Sequence, residues 1–313
     1  MNAEPVTFEV APGITAIDTF FGGRERYTAA YLLRGSEPAL VETGPTTSAD
    51  HVIAGLDALG IGPGDLAHIV VTHIHLDHAG GVGALCGRYP AATVWVHELG
   101  ARHLADPGRL VASAARIYGE DGLASLFGEV IPVPPQRIRT LSDGDRVPLG
   151  ERALEAADTP GHAKHHLALV DSATGAVFTG DALGIHPPDQ AVLRPATPPP
   201  DYDLELALGS IERIRRLAGE LVLFSHFGPV REVDRICDLA AKRFRDWSFA
   251  VRETMERTED LDEIIAVLRE VARADAATGA EAELDLDRLE TLSSVRMNAM
   301  GILRYWQLEA QES

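Results

Sequence analysis

The sequence predicts an α/β fold in which helices cover β-sheets, followed by a C-terminal helical appendage. Up to about residue 230, short runs rich in Val, Leu, Ile and Thr alternate with runs of helical periodicity, which is typical of sheets flanked by helices. Beyond that point strand-like runs disappear and only amphipathic helical runs remain. We therefore expect a main domain over residues 1–230 and a helical extension over residues 231–313.

Strands are expected where short apolar runs are bounded by Gly, Pro or Asp. Such runs are too short for the helices of a domain of this size and carry many β-branched residues. The runs that meet these conditions are Val6–Val10, Thr28–Arg34, Ala39–Glu42, His68–Thr72, Thr93–His97, Ala153–Ala157, His166–Asp171, Ala176–Thr179 and Leu221–Ser225.

Helices are expected where apolar residues recur every three or four positions, because that spacing places them on one buried face. In the main domain the candidates are Ser48–Leu59, Gly80–Arg88, Arg109–Tyr118 and Asp203–Leu217. In the extension, Asp260 and Glu263 form a capping-box pattern at the start of the second run. The three runs there are Arg231–Arg257, Asp260–Ala274 and Leu284–Leu308, and Thr278-Gly279 interrupts the pattern before the last.

The composition narrows the class of partner. The formal net charge of -19 repels nucleic acids and anionic membranes, which makes a nuclease or a membrane-surface protein an unfavourable hypothesis. No apolar run approaches the roughly 20 residues of a membrane span, and the N-terminus lacks the pattern of a secretory signal. Two cysteines cannot form a disulfide framework. We expect a cytoplasmic protein that acts on a small molecule.

The most informative segment is Ile69–Gly81, in which an apolar strand runs into four potential metal ligands. In extended chain, His73, His75 and Asp77 alternate with apolar residues and so share one face. His78 leaves that alternation directly before a glycine pair opens a helix. Burying three imidazoles and a carboxylate together has a large desolvation cost, which a bound metal ion removes. The segment therefore predicts a metal site.

Three more ligand candidates lie at strand boundaries. His162 closes the tight turn Asp158–His162, Asp181 ends a strand-like run, and His226 ends another. Each alone is a weak signal, because isolated polar residues at strand ends are usually hydrogen-bonded turn residues. Together with the first segment they provide seven nitrogen and oxygen ligands without a thiolate. That number exceeds the need of one tetrahedral zinc ion and suits two metals that share a carboxylate.

These motifs resemble the metallo-β-lactamase superfamily, whose signature is H-x-H-x-D-H followed by a distant His, Asp and His. The resemblance covers roughly residues 5–230. It implies an αββα sandwich, two sheets flanked by helices, with the metals at one edge. By the same resemblance, the first metal is bound by His73, His75 and His162, the second by Asp77, His78 and His226, and Asp181 bridges them.

A second motif is similar to one in hydroxyacylglutathione hydrolases, the glyoxalase II-like members. The segment Thr159–His166 corresponds to their T-P-G-H-x-x-G-H, and His166 aligns with the second histidine, which implies a residue that supports a ligand. His165 stands where glycine is usual. In the family's D-T-G turn, Glu42 replaces the aspartate.

The predicted activity is hydrolysis of an ester, thioester or lactone by a hydroxide that bridges two zinc ions, although iron or manganese also suits these ligands. Asp77, beside that hydroxide, is the candidate catalytic residue that accepts and returns the proton. The alternative is a persulfide dioxygenase with one iron ion. In that case His73, His162 and Asp181 form a facial set of two histidines and a carboxylate.

Two long segments are candidates for the pocket. Residues 104–136 hold an apolar insert, and residues 184–200 hold a proline-rich loop directly after Asp181. Tyr118 from the first segment and His186 from the second, next to Asp189, are the candidate substrate contacts.

The extension carries large aromatic residues, Phe244, Trp247 and Trp306 among them. They either pack against the main body or form the interface of a homodimer. The extension also holds basic residues, including Lys242 and Arg243, of the kind that a glutathione thioester would need.

Overall fold

Two β-sheets pack face to face at the centre of the protein, which a computed structural model describes over residues 5–187, 192–277 and 286–312. In the first sheet the strands follow one another in chain order. The first four pair antiparallel and the last four, from β4 onwards, pair parallel. These strands are β1 (Thr7–Ala11), β2 (Ile14–Asp18), β3 (Ala29–Leu33), β4 (Ala39–Val41), β5 (His68–Val70), β6 (Thr93–His97) and β7 (Ile138–Leu141).

The second sheet also keeps chain order, and its neighbours pair antiparallel except for the parallel pair β11–β12. Its strands are β8 (Arg146–Pro148), β9 (Ala153–Asp158), β10 (Leu167–Asp171), β11 (Val177–Gly180), β12 (Val222–Phe224) and β13 (Gly228–Val230). A single apolar layer between the sheets contains Tyr31, Val70 and Leu33 from the first and Phe178 and Leu223 from the second. This burial stabilises the sandwich.

Helices cover the outer face of each sheet. Val52, Leu56 and Leu85 pack against the first sheet, and Ile211 and Phe244 pack against the second, so the predicted αββα sandwich is confirmed. The helices are α1 (Ala49–Ala58), α2 (Leu76–Ala79), α3 (Val82–Arg88), α4 (Glu98–Ala105), α5 (Gly108–Phe127), α6 (Leu204–Leu217), α7 (Val233–Met255), α8 (Leu261–Ala277), α9 (Leu286–Leu292) and α10 (Val295–Glu312).

The sequence patterns located the central strands but missed the short ones. Strands are present near all nine predicted runs, with ends that move by one or two residues. The prediction missed β2, β7, β8 and β13, and it also missed helices α2 and α4. The clearest case is β13, whose sequence Gly-Pro-Val has no strand signal of its own and pairs with β12 only because the fold brings them together.

The helical extension packs against the outer face of the second sheet. Phe244 and Trp247 are buried in one apolar cluster with Val222 and Ile211, which confirms that they pack against the main body. At the start of α8, Asp260 accepts hydrogen bonds from the backbone N–H groups of residues 262 and 263, which is one half of the predicted capping box. The other half is not formed with Glu263, because the N–H of Asp260 donates to the hydroxyl of Thr258.

The third predicted helix of the extension is two helices in the structure. Helices α9 and α10 are separated at Ser293–Ser294, where the serine hydroxyls bond to nearby backbone groups. The predicted break at Thr278–Gly279 lies outside the described residues. None of the helices in the described ranges combines the length and the apolar character that a bilayer-spanning segment needs.

Candidate metal centre

Seven polar side chains that are far apart in sequence meet at one edge of the sandwich. His73 and His75 lie in the segment that follows β5, and Asp77 and His78 lie in the short helix α2. The other three come from the second sheet, where His162 follows β9, Asp181 follows β11 and His226 follows β12. The structure therefore brings together every residue that the sequence predicted as a metal ligand.

The local conformation of the first four differs from the prediction. Strand β5 ends at Val70, so His73, His75 and Asp77 do not share one face of an extended chain. The N–H groups of residues 78 and 79 both bond to the carbonyl oxygen of His75, at 3.0 and 2.9 Å, and close a helical turn. The positions of Asp77 and His78 relative to His73 and His75 are therefore set by this helical turn and not by the alternation of side chains along a strand.

The first group of ligand atoms consists of ring nitrogens. His75 Nδ1 lies 3.0 Å from His73 Nε2 and 2.8 Å from His162 Nε2. One hydrogen on His75 Nδ1 can satisfy only one of these contacts. A cation between the three nitrogens would be held by all of their lone pairs, which is the arrangement that neutral imidazoles provide to metals.

The second group joins two histidines and a carboxylate. His226 Nε2 lies 3.2 Å from His78 Nε2, and Asp77 Oδ2 lies 3.4 Å from His226 Nε2. The three residues place one ligand atom each within 4.8 Å of the others. This set of two nitrogens and one oxygen suits a second divalent ion.

Asp181 lies between the two groups. Its Oδ2 is 3.4 Å from His162 Nε2 of the first group, and its Oδ1 is 3.4 Å from both His78 Nε2 and His226 Nε2 of the second. Oδ1 is buried and has no hydrogen-bond partner among the described residues. A buried carboxylate oxygen without a donor is costly, so the position of Asp181 fits the binding of a cation.

The ring orientation of several histidines is set by groups behind them. His162 Nδ1 donates to the carbonyl oxygen of Ala196 at 2.9 Å, and His226 Nδ1 donates to that of Tyr27 at 3.2 Å. Because Nδ1 carries the hydrogen in both rings, Nε2 presents a lone pair to the centre.

Two further residues support the centre without lying in it. His166 Nε2 accepts the backbone N–H of Asp181 at 3.0 Å, and its Nδ1 lies 2.8 Å from the hydroxyl oxygen of Thr159. Glu42 accepts the backbone N–H of Thr72 at 3.1 Å and lies 3.2 Å from His78 Nδ1. Sequence motifs had drawn attention to both positions, but only the structure gives these contacts.

The charges of the centre complement each other. Burial, together with the neighbouring imidazoles, lowers the pKa of His73 well below its usual value, so the ring is neutral at pH 7. Burial opposes ionisation of Asp181, yet His78, His226 and His162 hold its pKa well below its usual range. For His78 the opposite holds: burial lowers its pKa, but the carboxylates of Asp181, Asp77 and Glu42 outweigh this effect and raise the pKa well above its usual value. A metal ion bound at the centre would displace that proton, since metals bind the neutral imidazole and the ionised carboxylate.

A cavity of about 570 Å³ opens above the centre. His75, Asp77, His162 and Asp181 form part of its lining, and helix α5 forms one wall. Residues 104–136 therefore contribute to the cavity, and so does the second predicted segment through Ala196–Pro200. Residue 189 lies outside the described residues.

Of the two predicted substrate contacts, only Tyr118 lines this cavity. The His186 side chain turns away, because its Nδ1 bonds to the carbonyl oxygen of Val192 at 2.8 Å and its ring packs 5.7 Å from that of Phe224. The basic residues Lys242 and Arg243 of the extension are likewise absent from the described lining. The sequence analysis assigned no substrate role to the basic residues that do line it, which are Arg102, His103, Arg109 and Lys164.

Comparison with known proteins agrees with this geometry. The sequence profile of the family described as the metallo-beta-lactamase superfamily matches residues 23–226, more than half of the chain. The metallo-beta-lactamase fold-containing protein ST1585 of Sulfurisphaera tokodaii is 30% identical over 169 residues, which are 53% of this chain and 62% of that protein. The hydroxyacylglutathione hydrolase of Aeromonas hydrophila is 30% identical over 135 residues, which are 43% of this chain and 39% of that enzyme. The chain thus spans less than two thirds of the length of these curated relatives.

Solved structures share the fold over nearly the whole chain. The crystal structure of ST1585 superposes with a TM-score of 0.67 at 22% identity and covers 93% of this chain and 98% of its own. The metallo-beta-lactamase family protein TTHA1429 of Thermus thermophilus superposes with a TM-score of 0.66 at 22% identity. It covers 98% of this chain and 93% of its own. At these identities the likeness establishes the fold alone.

Proposed function

The chain belongs to the metallo-beta-lactamase superfamily, and from that premise we propose that it is a hydrolase that uses two zinc ions to cleave an ester, thioester or lactone bond of a small molecule. The observation that carries this proposal is the convergence of two ligand groups on the shared carboxylate of Asp181, at the floor of a cavity. The hydroxyacylglutathione hydrolases among the relatives support hydrolysis as the reaction class.

Two ions are favoured over one because the ligand atoms form two groups. His73, His75 and His162 would hold the first ion, and Asp77, His78 and His226 the second. A site for one iron ion would need only His73, His162 and Asp181 and would leave the convergence of the second group without a role.

The chemistry divides between the ions and the protein. Two bound divalent ions would supply a water acidic enough to attack at neutral pH and positive charge for the substrate's carbonyl oxygen. Asp77 is partly exposed to the cavity, with 22% of its side chain accessible. It is therefore the carboxylate that can take the proton from the attacking water and return it to the leaving oxygen or sulfur.

Tyr118 is positioned to orient the substrate. Burial and the charges of Asp77 and Asp181 raise the pKa of its phenol, so the hydroxyl keeps its hydrogen at neutral pH. Apart from a 4.0 Å contact with the sulfur of Met297, the described structure gives this hydroxyl no acceptor. It can donate a hydrogen bond to an oxygen of the substrate.

The proposal is tested by measuring metal content and hydrolysis together. We expect two zinc ions per chain and turnover of at least one substrate in a panel of carboxylic esters, thioesters and lactones, with phosphodiesters as the contrasting class. Replacing His73 with Ala should lower zinc content and reduce hydrolysis by more than about 100-fold, because removing a direct ligand should cost more than removing a group that supports one.

The matched control is His51→Ala on the outer helix α1, which should keep both zinc and turnover. Circular dichroism checks that both variants fold. Undiminished turnover by zinc-free His73→Ala protein would reject the mechanism. One iron ion per chain with oxygen uptake would favour the persulfide dioxygenase instead.

A further inference from the structure

The cavity above the metal centre has a basic rim. Arg102 and His103 at the end of α4, Arg109 at the start of α5, and Lys164 in the turn that follows β9 all contribute to its lining. The chain as a whole carries a net charge of -19, so this concentration of positive charge runs against the overall balance. Such a local field attracts anionic groups to the cavity.

Two of these cations have no carboxylate partner in the part of the chain that the structure describes. Lys164 lies 3.5 Å from Asp201, which is also in the lining. For Arg102 and Arg109, the described residues place no carboxylate oxygen within 4.0 Å. The Arg102 Nε group donates instead to His103 Nε2 at 3.1 Å.

Arg102 and Arg109 change the pKa of the neighbouring His103. Burial, and then the positive charges of Arg102 and Arg109, lower the pKa of His103. Helices α4 and α5 are in contact, and each contributes one arginine to the lining of the cavity.

Helix α5 relates this pair to the metal centre. The lining positions Arg109, Ser113 and Ile117 are four residues apart and lie on one face of the helix. Tyr118 lies on the adjacent row with Leu110 and Ala114, and it lines the same cavity as Asp77 and Asp181. Tyr118 is nine positions after Arg109 in the helix, which corresponds to about 13 Å along the axis.

The wall between the two ends is apolar. Leu110, Ala114 and Ile117 of α5 line the cavity, and Leu99 of α4 faces them from its rim. Leu99 is 51% exposed and Ile117 is 40% exposed, which is unusual for such large apolar side chains. A ligand with an apolar section would cover them.

We propose that the substrate is an elongated amphipathic anion. Its hydrolysable ester or thioester bond lies at the metal centre, its apolar section lies along α5, and an anionic group at its far end is bound by Arg102 and Arg109. The inference rests on the proposed function and narrows it, because a small neutral lactone would leave both the arginines and the apolar wall without contacts. Carboxylate and phosphate share the required chemistry, since both accept hydrogen bonds from a guanidinium.

The test uses three thioesters of one small thiol that share an apolar acyl chain. The far end of this chain carries a neutral amide, a carboxylate or a phosphate, and each compound is assayed with the zinc-loaded protein. We expect kcat/KM to be higher for at least one anionic thioester than for the neutral one. The better of the two anions identifies the source of the charge.

Variants assign the effect to the two arginines. In the Arg102→Gln/Arg109→Gln protein, the ratio of kcat/KM for the better anionic thioester to that for the neutral one should fall about 10- to 100-fold, mainly through KM, because charge-assisted hydrogen bonds are lost. The matched control is Arg116→Gln, an exposed arginine of α5 that is outside the described lining, and it should keep the wild-type ratio.

Binding separates this inference from the proposed function. Thioether analogues, which cannot be hydrolysed, are titrated calorimetrically into the wild-type and double-variant proteins. Tighter binding of an anionic analogue to the wild-type protein alone supports the anion site even if no thioester is hydrolysed, an outcome that would count against the function only. Equal binding and equal kcat/KM for neutral and anionic compounds would overturn the inference and leave the function standing.

Discussion

Two clusters of buried charge, one at each end of the second sheet, differ in how their polar atoms are satisfied. The first is the ion pair of Arg152 and Asp171, both buried. Arg152 Nε and Nη2 donate to the two oxygens of Asp171 at 2.9 and 2.6 Å, and Nη1 donates to the carbonyl oxygens of Gly13 and Arg34. Asp171 also accepts the N–H and the hydroxyl of Thr174.

The metal centre is the opposite case. Its histidines turn lone pairs towards one another, and Asp181 Oδ1 has no donor among the described residues. Arg152 and Asp171 are hydrogen-bonded to each other and to neighbouring protein groups, whereas Asp181 Oδ1 of the metal centre accepts no hydrogen bond from the described residues. Both clusters are buried and charged. The comparison indicates that a structural polar cluster differs from a ligand-binding one in whether its polar atoms have hydrogen-bond partners within the protein.

Gly13 allows the Arg152 guanidinium to complete its hydrogen bonds. A Cβ atom at Gly13 would lie 2.9 Å from Arg152 Nη1, and the residue has a φ of +72°. Only glycine fits this conformation without strain and lets the guanidinium reach the carbonyl oxygen.

The largest loss of stability is expected from breaking the buried ion pair of Arg152 and Asp171. Arg152→Met should lower the free energy of unfolding by about 3–5 kcal/mol, because the carboxylate of Asp171 is left buried without its cation. Urea denaturation with and without zinc measures this loss, and zinc should still stabilise the variant.

The control for that variant is Arg146→Gln on the neighbouring strand β8. Arg146 forms an exposed pair with Glu155 at 3.9 Å, and its loss should cost at most about 1 kcal/mol. Similar losses in the two variants would contradict the distinction between satisfied buried pairs and surface pairs.

A smaller change in free energy is expected when the hydrogen bond that positions Asp181 in the metal centre is removed. His166→Leu should weaken zinc binding about 10- to 100-fold, because Asp181 loses the acceptor that holds its backbone N–H. Competition with a chelator measures the affinity. His68→Leu, which changes a partly buried histidine that instead accepts from the indole of Trp95, should leave zinc affinity unchanged. An unchanged affinity in the His166 variant would show that this contact does not position Asp181.

The smallest effect concerns pH. Burial opposes ionisation of Asp171, but Arg152 and Thr174 hold its pKa below 3.8. The folded state therefore keeps this carboxylate ionised at a pH where the unfolded chain takes up a proton. Its contribution is present above 3.8 and is lost as the pH falls through the folded pKa.

Without Arg152, burial should raise the pKa of Asp171 in the folded variant, so a proton taken up there relieves the cost of the buried charge. The difference in unfolding free energy between wild type and Arg152→Met should therefore be largest near pH 7 and shrink as the pH falls towards about pH 4. Denaturation curves across this range check the expectation, and a difference that stays constant over the whole range would mean that Asp171 is not the group that responds to the substitution.

The sequence by itself determined the fold class and the chemistry of the centre. Alternation of apolar runs predicted sheets covered by helices, and the spacing around His73 and His78 predicted a cluster of nitrogen and oxygen groups that could bind a metal. These features can be predicted from the sequence because they depend on residue type and on spacing over a few positions. The pattern did not reveal that Asp77 and His78 occupy a helical turn, since a four-residue helix such as α2 has no periodicity of its own.

Only the tertiary structure decided which distant groups meet. Arg102 and Arg109 lie on adjacent helices far in sequence from His162 and Asp181, and no local pattern links them to the cavity. His186, next to Asp181 in the chain, turns away from that cavity because the carbonyl oxygen of Val192 holds its ring. The physical reason is that contacts between the two sheets and their covering helices are set by long-range packing, which places residues by burial and strand pairing rather than by their distance along the chain.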